Sequence, residues 1–345
     1  MNHGLNARPG VIGTQHTQPE ATYTSTPRGS RALVTGAAGF IGSHLVEALL
    51  ARGYDVVGID NFSSYYNPEF KRANAADALS HPDYRLMADD LVRADLDALL
   101  RGVDVVFHLA GQPGVRASWG PGFQAYLQEN LLATQRLLEA LARRPVPVVA
   151  ASTSSVYGES DGRPLSELAP LRPVSPYGMT KAAAEQLIDV YRRESGVPVV
   201  CLRYFTVFGP RQRPDMAFQR FVDALECGRP LHVFGTGQQS RDFTFVDDVV
   251  SATIAAVGAP SPVYNVGGGT PASINESLTL LQQLTGKQAR IVHEERARGD
   301  VYRTWADTSL LREEVGWQPR TTLVEGLAAQ VTEYRRQRAL DGVAS

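Results

Sequence analysis

Tyr177 and Lys181 stand four residues apart in Ser175-Pro-Tyr-Gly-Met-Thr-Lys181-Ala-Ala-Ala-Glu185. Four residues is just over one helical turn, so both side chains share a face of any helix that starts near Pro176. An ammonium beside a phenol favours the phenolate, which turns a weak acid into a usable base at neutral pH. The spacing alone is common in ordinary helices. Its meaning depends on what the rest of the chain brings to it.

A second feature is the run Ala32-Leu-Val-Thr-Gly36-Ala-Ala-Gly39-Phe40-Ile41-Gly42, which reads as strand, glycine turn and helix. Gly36, Gly39 and Gly42 permit a tight turn and let backbone N–H groups approach a pyrophosphate at the positive end of the helix. The next strand, 56–59, ends in Asp60. A carboxylate there can accept hydrogen bonds from both adenosine ribose hydroxyls and would repel a 2′-phosphate, which favours NAD over NADP. Asp89-Asp90-Leu91 follows a third strand region, where it meets the adenine or merely caps a helix. His108-Leu109-Ala110-Gly111 ends another strand with small residues, as either cofactor approach or packing requires.

These groups need a frame. Apolar runs of strand length occupy 32–34, 56–59, 105–109, 146–151 and 199–202, with helical patterns at 40–52, 128–142 and 176–195 between them. Short buried strands alternating with helices predict a doubly wound parallel sheet covered on both faces. After residue 205 the rhythm breaks into proline, glycine and arginine, and further helices are expected at 216–226, 246–257, 274–285 and 323–337. The predicted organisation is a dinucleotide-binding domain over 30–205, with a returning segment near 241–266. A smaller lobe, 206–240 and 267–340, closes over the crevice at the strand ends. Residues 1–29 are rich in Thr, Gly, Pro, Asn and Gln and read as a disordered extension.

Composition narrows the class. The 345 residues carry 34 basic and 36 acidic side chains, so nothing points to nucleic acid or a membrane surface as partner. No apolar run is long enough for a membrane span. Two cysteines, Cys201 and Cys227, and seven histidines without ligand spacing argue against disulfides and against a metal site. They suit a reducing compartment, the cytoplasm.

The chain resembles the extended short-chain dehydrogenase/reductase family, in particular its NAD-dependent nucleotide-sugar 4-epimerases. The resemblance rests on Thr35–Gly42, Asp60-Asn61, His108–Gly111, Asn130, Ser152-Thr-Ser-Ser-Val-Tyr-Gly158, Tyr177–Lys181, Arg203-Tyr-Phe-Thr-Val-Phe-Gly209 and Arg241-Asp-Phe-Thr-Phe-Val-Asp-Asp248. It implies a Rossmann-type sheet with a smaller C-terminal substrate-binding lobe. It makes Tyr177 the base that takes the sugar O4 proton and Lys181 the group that holds the nicotinamide ribose and acidifies the tyrosine. Thr153 becomes the bridging hydroxyl, with Ser154 as its alternative. Phe40, Ile41, Asn61, Asp90, Leu91, Leu109, Ala110, Gly111 and Tyr204 join the expected NAD site. Asn130 would lie at the pocket or would satisfy buried backbone groups.

The resemblance also narrows the outcome. Sugar 4,6-dehydratases of this kind carry an Asp-Glu pair after the catalytic threonine, and the decarboxylases place a glutamate at the second of those positions. Here they are Ser154 and Ser155, so the expected outcome is hydride return to the opposite face. Arg241 resembles the arginine that grips the substrate pyrophosphate, and Arg296-Ala-Arg298-Gly-Asp300 a second clamp in which Asp300 and either Arg298 or Arg296 are the contacts expected. The stretch from Val207 to Ala217 most resembles UDP-glucuronate 4-epimerases, with Thr206 and Arg213 as binders of the uronate carboxylate. Gln212, where many of those enzymes carry glycine, and Phe208, often tyrosine, depart from the pattern. The remaining alternatives are a UDP-glucose or UDP-N-acetylglucosamine 4-epimerase and a non-catalytic NAD-binding regulator. A homodimer paired through helices 128–142 and 176–195 is implied by the family.

Overall fold

The computed structural model describes residues 29–343, with side chains described as far as residue 339. Apart from Gly29, the expected extension lies outside the described residues. Strands β1 (Arg31–Thr35), β2 (Asp55–Asp60), β3 (Tyr84–Ala88), β4 (Val105–His108), β5 (Val148–Thr153) and β6 (Val199–Tyr204) come first. They are followed by β7 (Thr206–Phe208), β8 (Leu231–Phe234), β9 (Ser240–Phe245), β10 (Val263–Val266), β11 (Pro271–Ser273) and β12 (Ile291–Glu294). The helices of the first half are α1 (Phe40–Leu50), α2 (Pro68–Ala76), α3 (Leu96–Leu99), α4 (Phe123–Tyr126), α5 (Ala133–Arg143) and α6 (Pro176–Glu194). Those of the second are α7 (Ala217–Glu226), α8 (Val246–Ala255), α9 (Ile274–Thr285), α10 (Ser309–Val315) and α11 (Leu323–Val343).

Seven strands form one sheet in the order β3-β2-β1-β4-β5-β6-β10. Every neighbouring pair in it is parallel. The central strands are apolar and covered on both faces: Leu33, Val34, Val105, Val106 and Phe107 are 0% exposed, as a sheet packed between two helical layers requires. Strand order reverses between β1 and β4. The connections leaving those two strands part there and open a crevice at the carboxyl ends.

Several boundaries differ from the sequence pattern, and two of the differences help place the site. The strand expected at 146–151 runs from Val148 to Thr153. Pro147 has no N–H to offer a ladder, and its carbonyl instead accepts the Val106 N–H at 2.9 Å. The shift puts Thr153 at the last strand position. The helix expected at 128–142 begins earlier, as α4, and passes through a π-helical turn, Leu127–Leu132, before continuing as α5. That wider turn holds Asn130 at 1% exposure, in keeping with the tendency of π-turns to sit at functional sites.

The remaining strands form two small sheets, β11-β9-β7 and β12-β8. An aromatic cluster of Phe208, Phe218 and Phe243 anchors them, with the Phe218 and Phe243 rings 4.5 Å apart. The same apolar core continues beneath the large sheet through Val34, Val56 and Phe107. A second core on the opposite face seats α5 and α6. Among the described residues, no helix is long and apolar enough to cross a membrane.

Candidate active site

A cavity of about 560 Å3 opens at the carboxyl ends of the strands. Every residue that the sequence expects at a site lines it, except Asp90, Arg241, Arg298 and its alternative Arg296.

Its cofactor end is built largely from backbone. Gly36 has φ +70°, and a Cβ there would come within 2.9 Å of the Ala110 nitrogen. At Gly42 a Cβ would meet the Gly36 carbonyl oxygen at 2.0 Å. Only glycine lets α1 start this close to the turn. No side chain caps the helix N-terminus, so its first N–H groups face the cavity as an anion site. Asp60 closes this end at 5% exposure. Its carboxylate accepts N–H groups from Ala38 (3.2 Å) and Phe62 (2.8 Å) and pairs with the Lys71 ammonium at 3.0 Å. An uncapped helix start, glycines that nothing larger can replace and an acid held at the end of β2 fit NAD.

At the centre stand Thr153, Tyr177 and Lys181. Ser175 caps α6 by accepting the Gly178 N–H at 3.1 Å, with Pro176 at the first helical position; both are helix-start signals. Tyr177 and Lys181 therefore leave the first turns of α6 toward the end of β5. Burial raises Tyr177 above the ordinary phenol value, while the Thr153 hydroxyl and the Arg213 charge pull it down. Burial lowers Lys181 below the usual ammonium range, opposed by Cys201 and Glu185. Its Nζ donates to the Ala151 carbonyl at 2.6 Å. One turn beyond Lys181, Glu185 pairs with buried Arg203 at 2.7 Å and accepts the Ser152 hydroxyl, which ties α6 to the ends of β5 and β6.

The sugar end is built from side chains. Thr206, Arg213, Ser154 and Ser155 line it. Arg213 is 18% exposed and meets Asp215 through two bonds, Nε–Oδ1 at 2.9 Å and Nη2–Oδ2 at 3.0 Å. The departure at Gln212 has a packing reason. Its side chain is 5% exposed; Nε2 donates to the Val207 carbonyl, and Oε1 accepts from the Gln219 N–H and from Gln330. Gln330 in turn accepts the Gly209 N–H at 3.2 Å. A glutamine cluster thus fixes the loop that carries Arg213.

Several expected residues make their bonds away from the cavity. Asp90 turns its carboxylate to the Val92 N–H at 2.8 Å within its own turn; Asp89 lines the cavity instead. Arg241 does not reach the wall because Asp300 and the Ser240, Val301 and Tyr302 carbonyls engage it. Arg298 lies over the Trp119 ring, 3.7 Å from its centroid, a favourable seat for a guanidinium. Asn130 lines the cavity, and its polar atoms are taken up by the Gln112 backbone and the Thr180 hydroxyl. Tyr204 lines the cavity, but its hydroxyl meets Thr253 at 2.7 Å. Asn61 points its amide at Glu129, 3.3 Å away.

The motifs did not single out Lys71, Tyr65, Arg116 or Asp215, all on the cavity wall. For Lys71 a signal existed: Asn67-Pro68 marks a helix start, and Asn67 does accept the Glu69 N–H. For Arg116, which stacks 3.9 Å from the Phe234 ring centroid, no local signal was present.

Residues 32–267 match the NAD dependent epimerase/dehydratase family. An uncharacterized UDP-glucose epimerase, YtcB, of Bacillus subtilis is 44% identical over 87% of this chain and 96% of its own length. The UDP-glucuronate 4-epimerase of Thermodesulfobacterium geofontis is 36% identical over 87% of this chain and 94% of its own. Among solved structures, UDP-glucuronic acid 4-epimerase from Bacillus cereus, in complex with UDP-glucuronic acid and NAD, superposes with a TM-score of 0.86. It is 42% identical and covers 89% of this chain and 99% of that one. With the glycine turn, Asp60 and the Tyr177–Lys181 helix start at one crevice, the chain belongs to the NAD-dependent epimerase/dehydratase enzymes, and NAD is its cofactor.

Proposed function

We propose that this chain is a UDP-sugar 4-epimerase whose substrate is UDP-glucuronate, converted to UDP-galacturonate. The observation that carries this reading is a single cavity lined by Tyr177, Thr153, Thr206 and Arg213 together. Relatives of both kinds, UDP-glucuronate and UDP-glucose epimerases, support the reaction class.

NAD supplies the hydride acceptor and donor at sugar C4. Gly36, Gly39, Gly42 and Asp60, with Phe40, Ile41, Leu91, Leu109, Ala110 and Gly111 around them, hold it. Tyr177 removes the O4 proton, with the Thr153 hydroxyl between phenol and sugar, and returns a proton when C4 is reduced from the other face. Lys181 keeps a positive charge beneath that exchange. Ser154 and Ser155 offer no carboxyl to move protons at C5 or C6, so the ketone can only be reduced again. A 4-keto uronate is a β-keto acid and loses CO2 when its carboxylate bond stands perpendicular to the carbonyl plane. Arg213 and Thr206 hold the carboxylate out of that orientation and balance its charge.

A second reading is UDP-glucose epimerization, and it rests on the Asp215 carboxylate that already pairs with Arg213. Incubation with UDP-glucuronate, UDP-glucose and UDP-N-acetylglucosamine, with products read by NMR and CO2 by mass spectrometry, separates the two. UDP-glucose epimerized with UDP-glucuronate untouched would sink the uronate assignment. We further propose a cytoplasmic homodimer formed through α5 and α6, whose region exposes Leu127, Leu132, Met179 and Val190; a monomer in sedimentation would refute the dimer.

A further inference from the structure

Arg213 meets Asp215 along one edge of its guanidinium only. Nε and Nη2 each donate to a carboxylate oxygen, while among the described residues Nη1 has no protein partner. A guanidinium is a planar fork with a second edge, Nη1 and the outer N–H of Nη2, of the same bidentate shape. Both Arg213 and Asp215 line the cavity that holds Tyr177. Asp215 is itself braced, because the Tyr65 hydroxyl donates to its Oδ2 at 3.2 Å. Tyr65 remains a donor: its pKa is pushed up to about 12 by burial and then by Asp215 itself.

The backbone beneath this pair is held on both sides. Arg211 adopts φ +62°, an uncommon conformation for a side chain larger than glycine, and is tied to α1 by Glu47 at 2.7 Å and the Ser43 hydroxyl at 3.3 Å. Gln212 is locked into the glutamine cluster with Gln330. Pro214 fixes its own φ between the two charged residues. An arginine has four rotatable bonds, and a fixed backbone alone does not aim its head. What aims it here is the Asp215 carboxylate.

We propose that Asp215 is a positioning residue for substrate recognition: it clamps the Nε/Nη2 edge of Arg213 so that the opposite edge is presented to the C6 carboxylate of the sugar. This rests on the uronate reading above. Two consequences follow from the geometry. A correctly aimed second edge tightens binding of the uronate and keeps its carboxylate bond near the plane of the C4 ketone. If the aim is lost, the C5–C6 bond can break in the 4-keto sugar. The electron pair then stays at C5, which takes up a proton, and CO2 departs to leave a 4-keto pentose.

Asp215→Asn tests this, because an amide can accept from only one guanidinium N–H and turns its own NH2 toward the other. The expected result is a rise of about 10-fold in KM for UDP-glucuronate, with a new UDP-pentose fraction and CO2 among the products. Tyr65→Phe, which removes only the brace, should move both readouts in the same direction by less, with the thermal midpoint unchanged. The opposite sign overturns the inference. Loss of the Asp215 charge would by itself attract an incoming carboxylate, so a lower KM, or an unchanged KM with no CO2, means that Asp215 does not aim Arg213. Wild-type turnover of UDP-glucuronate is measured alongside. If the wild type fails to turn it over, the substrate reading is at fault. If the wild type works and Asp215→Asn matches it, only the positioning role is lost.

Discussion

The two ends of the cavity hold their polar groups by different means. At the cofactor end the chemistry is set by backbone: a glycine turn, an uncapped helix start and strand termini whose register is fixed by parallel pairing on both sides. At the sugar end it is set by side chains, chiefly Arg213 directed by Asp215, while Asp300 and Trp119 hold Arg241 and Arg298 off the cavity wall. The first arrangement leaves few choices once the strands form. The second can be re-aimed by one substitution, which suits a site that must tell one sugar from another while the redox step stays the same.

The largest expected effect breaks the redox step that stands between the two ends. Tyr177→Phe removes the proton acceptor and should lower turnover roughly 10²- to 10⁴-fold on every sugar accepted, while bound NAD measured by absorbance stays at the wild-type level. Turnover within a few-fold of wild type would remove Tyr177 from its role. Arg213→Ala should act mainly at the sugar end. With roughly 1.5–3 kcal/mol for a charge-assisted bond, kcat/KM on UDP-glucuronate falls about 10- to 100-fold, and activity on any neutral UDP-sugar falls much less, by the loss of the Arg213 charge near Tyr177 alone. Equal losses on acidic and neutral sugars would contradict the division between the two ends.

Much of the first end was legible in the sequence because its signals are local. Glycine spacing, the acid after the second strand and Pro176 behind a serine cap all act within a few residues of themselves. The structure moved the expected strand at 146–151 by two positions at each end, for the local reason that Pro147 cannot donate. At the other end the family resemblance brought Arg213, Arg241 and Arg298 to the site, and of the three only Arg213 lines the cavity. The seats of the other two are chosen by Asp300 and Trp119, 59 and 179 positions away in the chain, and competition between a carboxylate, a ring and an open cavity has no trace in spacing. Lys71 was missed although Asn67-Pro68 announced its helix.

Smaller effects separate the supports of the two ends. His108, 5% exposed, sits behind the cofactor end between Thr35 (2.9 Å at Nδ1) and Thr134 (3.0 Å at Nε2). Thr134 donates onward to the Asn130 carbonyl, which assigns the ring as neutral with its proton on Nε2. Burial, aided by Lys181, lowers its pKa from 6.5 to about 3. The unfolded chain therefore binds the proton first as pH falls. The histidine's contribution is complete above pH 6.5 and is lost as pH drops toward 3, by about 2 kcal/mol at pH 5. Denaturant titrations at pH 7 and pH 5 should show that loss in wild type and not in His108→Gln. At the sugar end, Gln330→Ala strands the Gly209 N–H and removes one of the two donors to Gln212 Oε1, and should cost about 1–2 kcal/mol in urea unfolding. It should also raise KM for UDP-glucuronate more than it changes kcat.

The most direct measurement follows the C4 hydrogen of the sugar. UDP-glucuronate carrying deuterium at C4 is incubated with the enzyme in ordinary water, and the product is examined by NMR. The account predicts UDP-galacturonate with deuterium retained at an inverted C4 and C6 still attached. A product whose C4 deuterium has been replaced by solvent hydrogen, or recovery of UDP-glucuronate with no epimer formed, would contradict it.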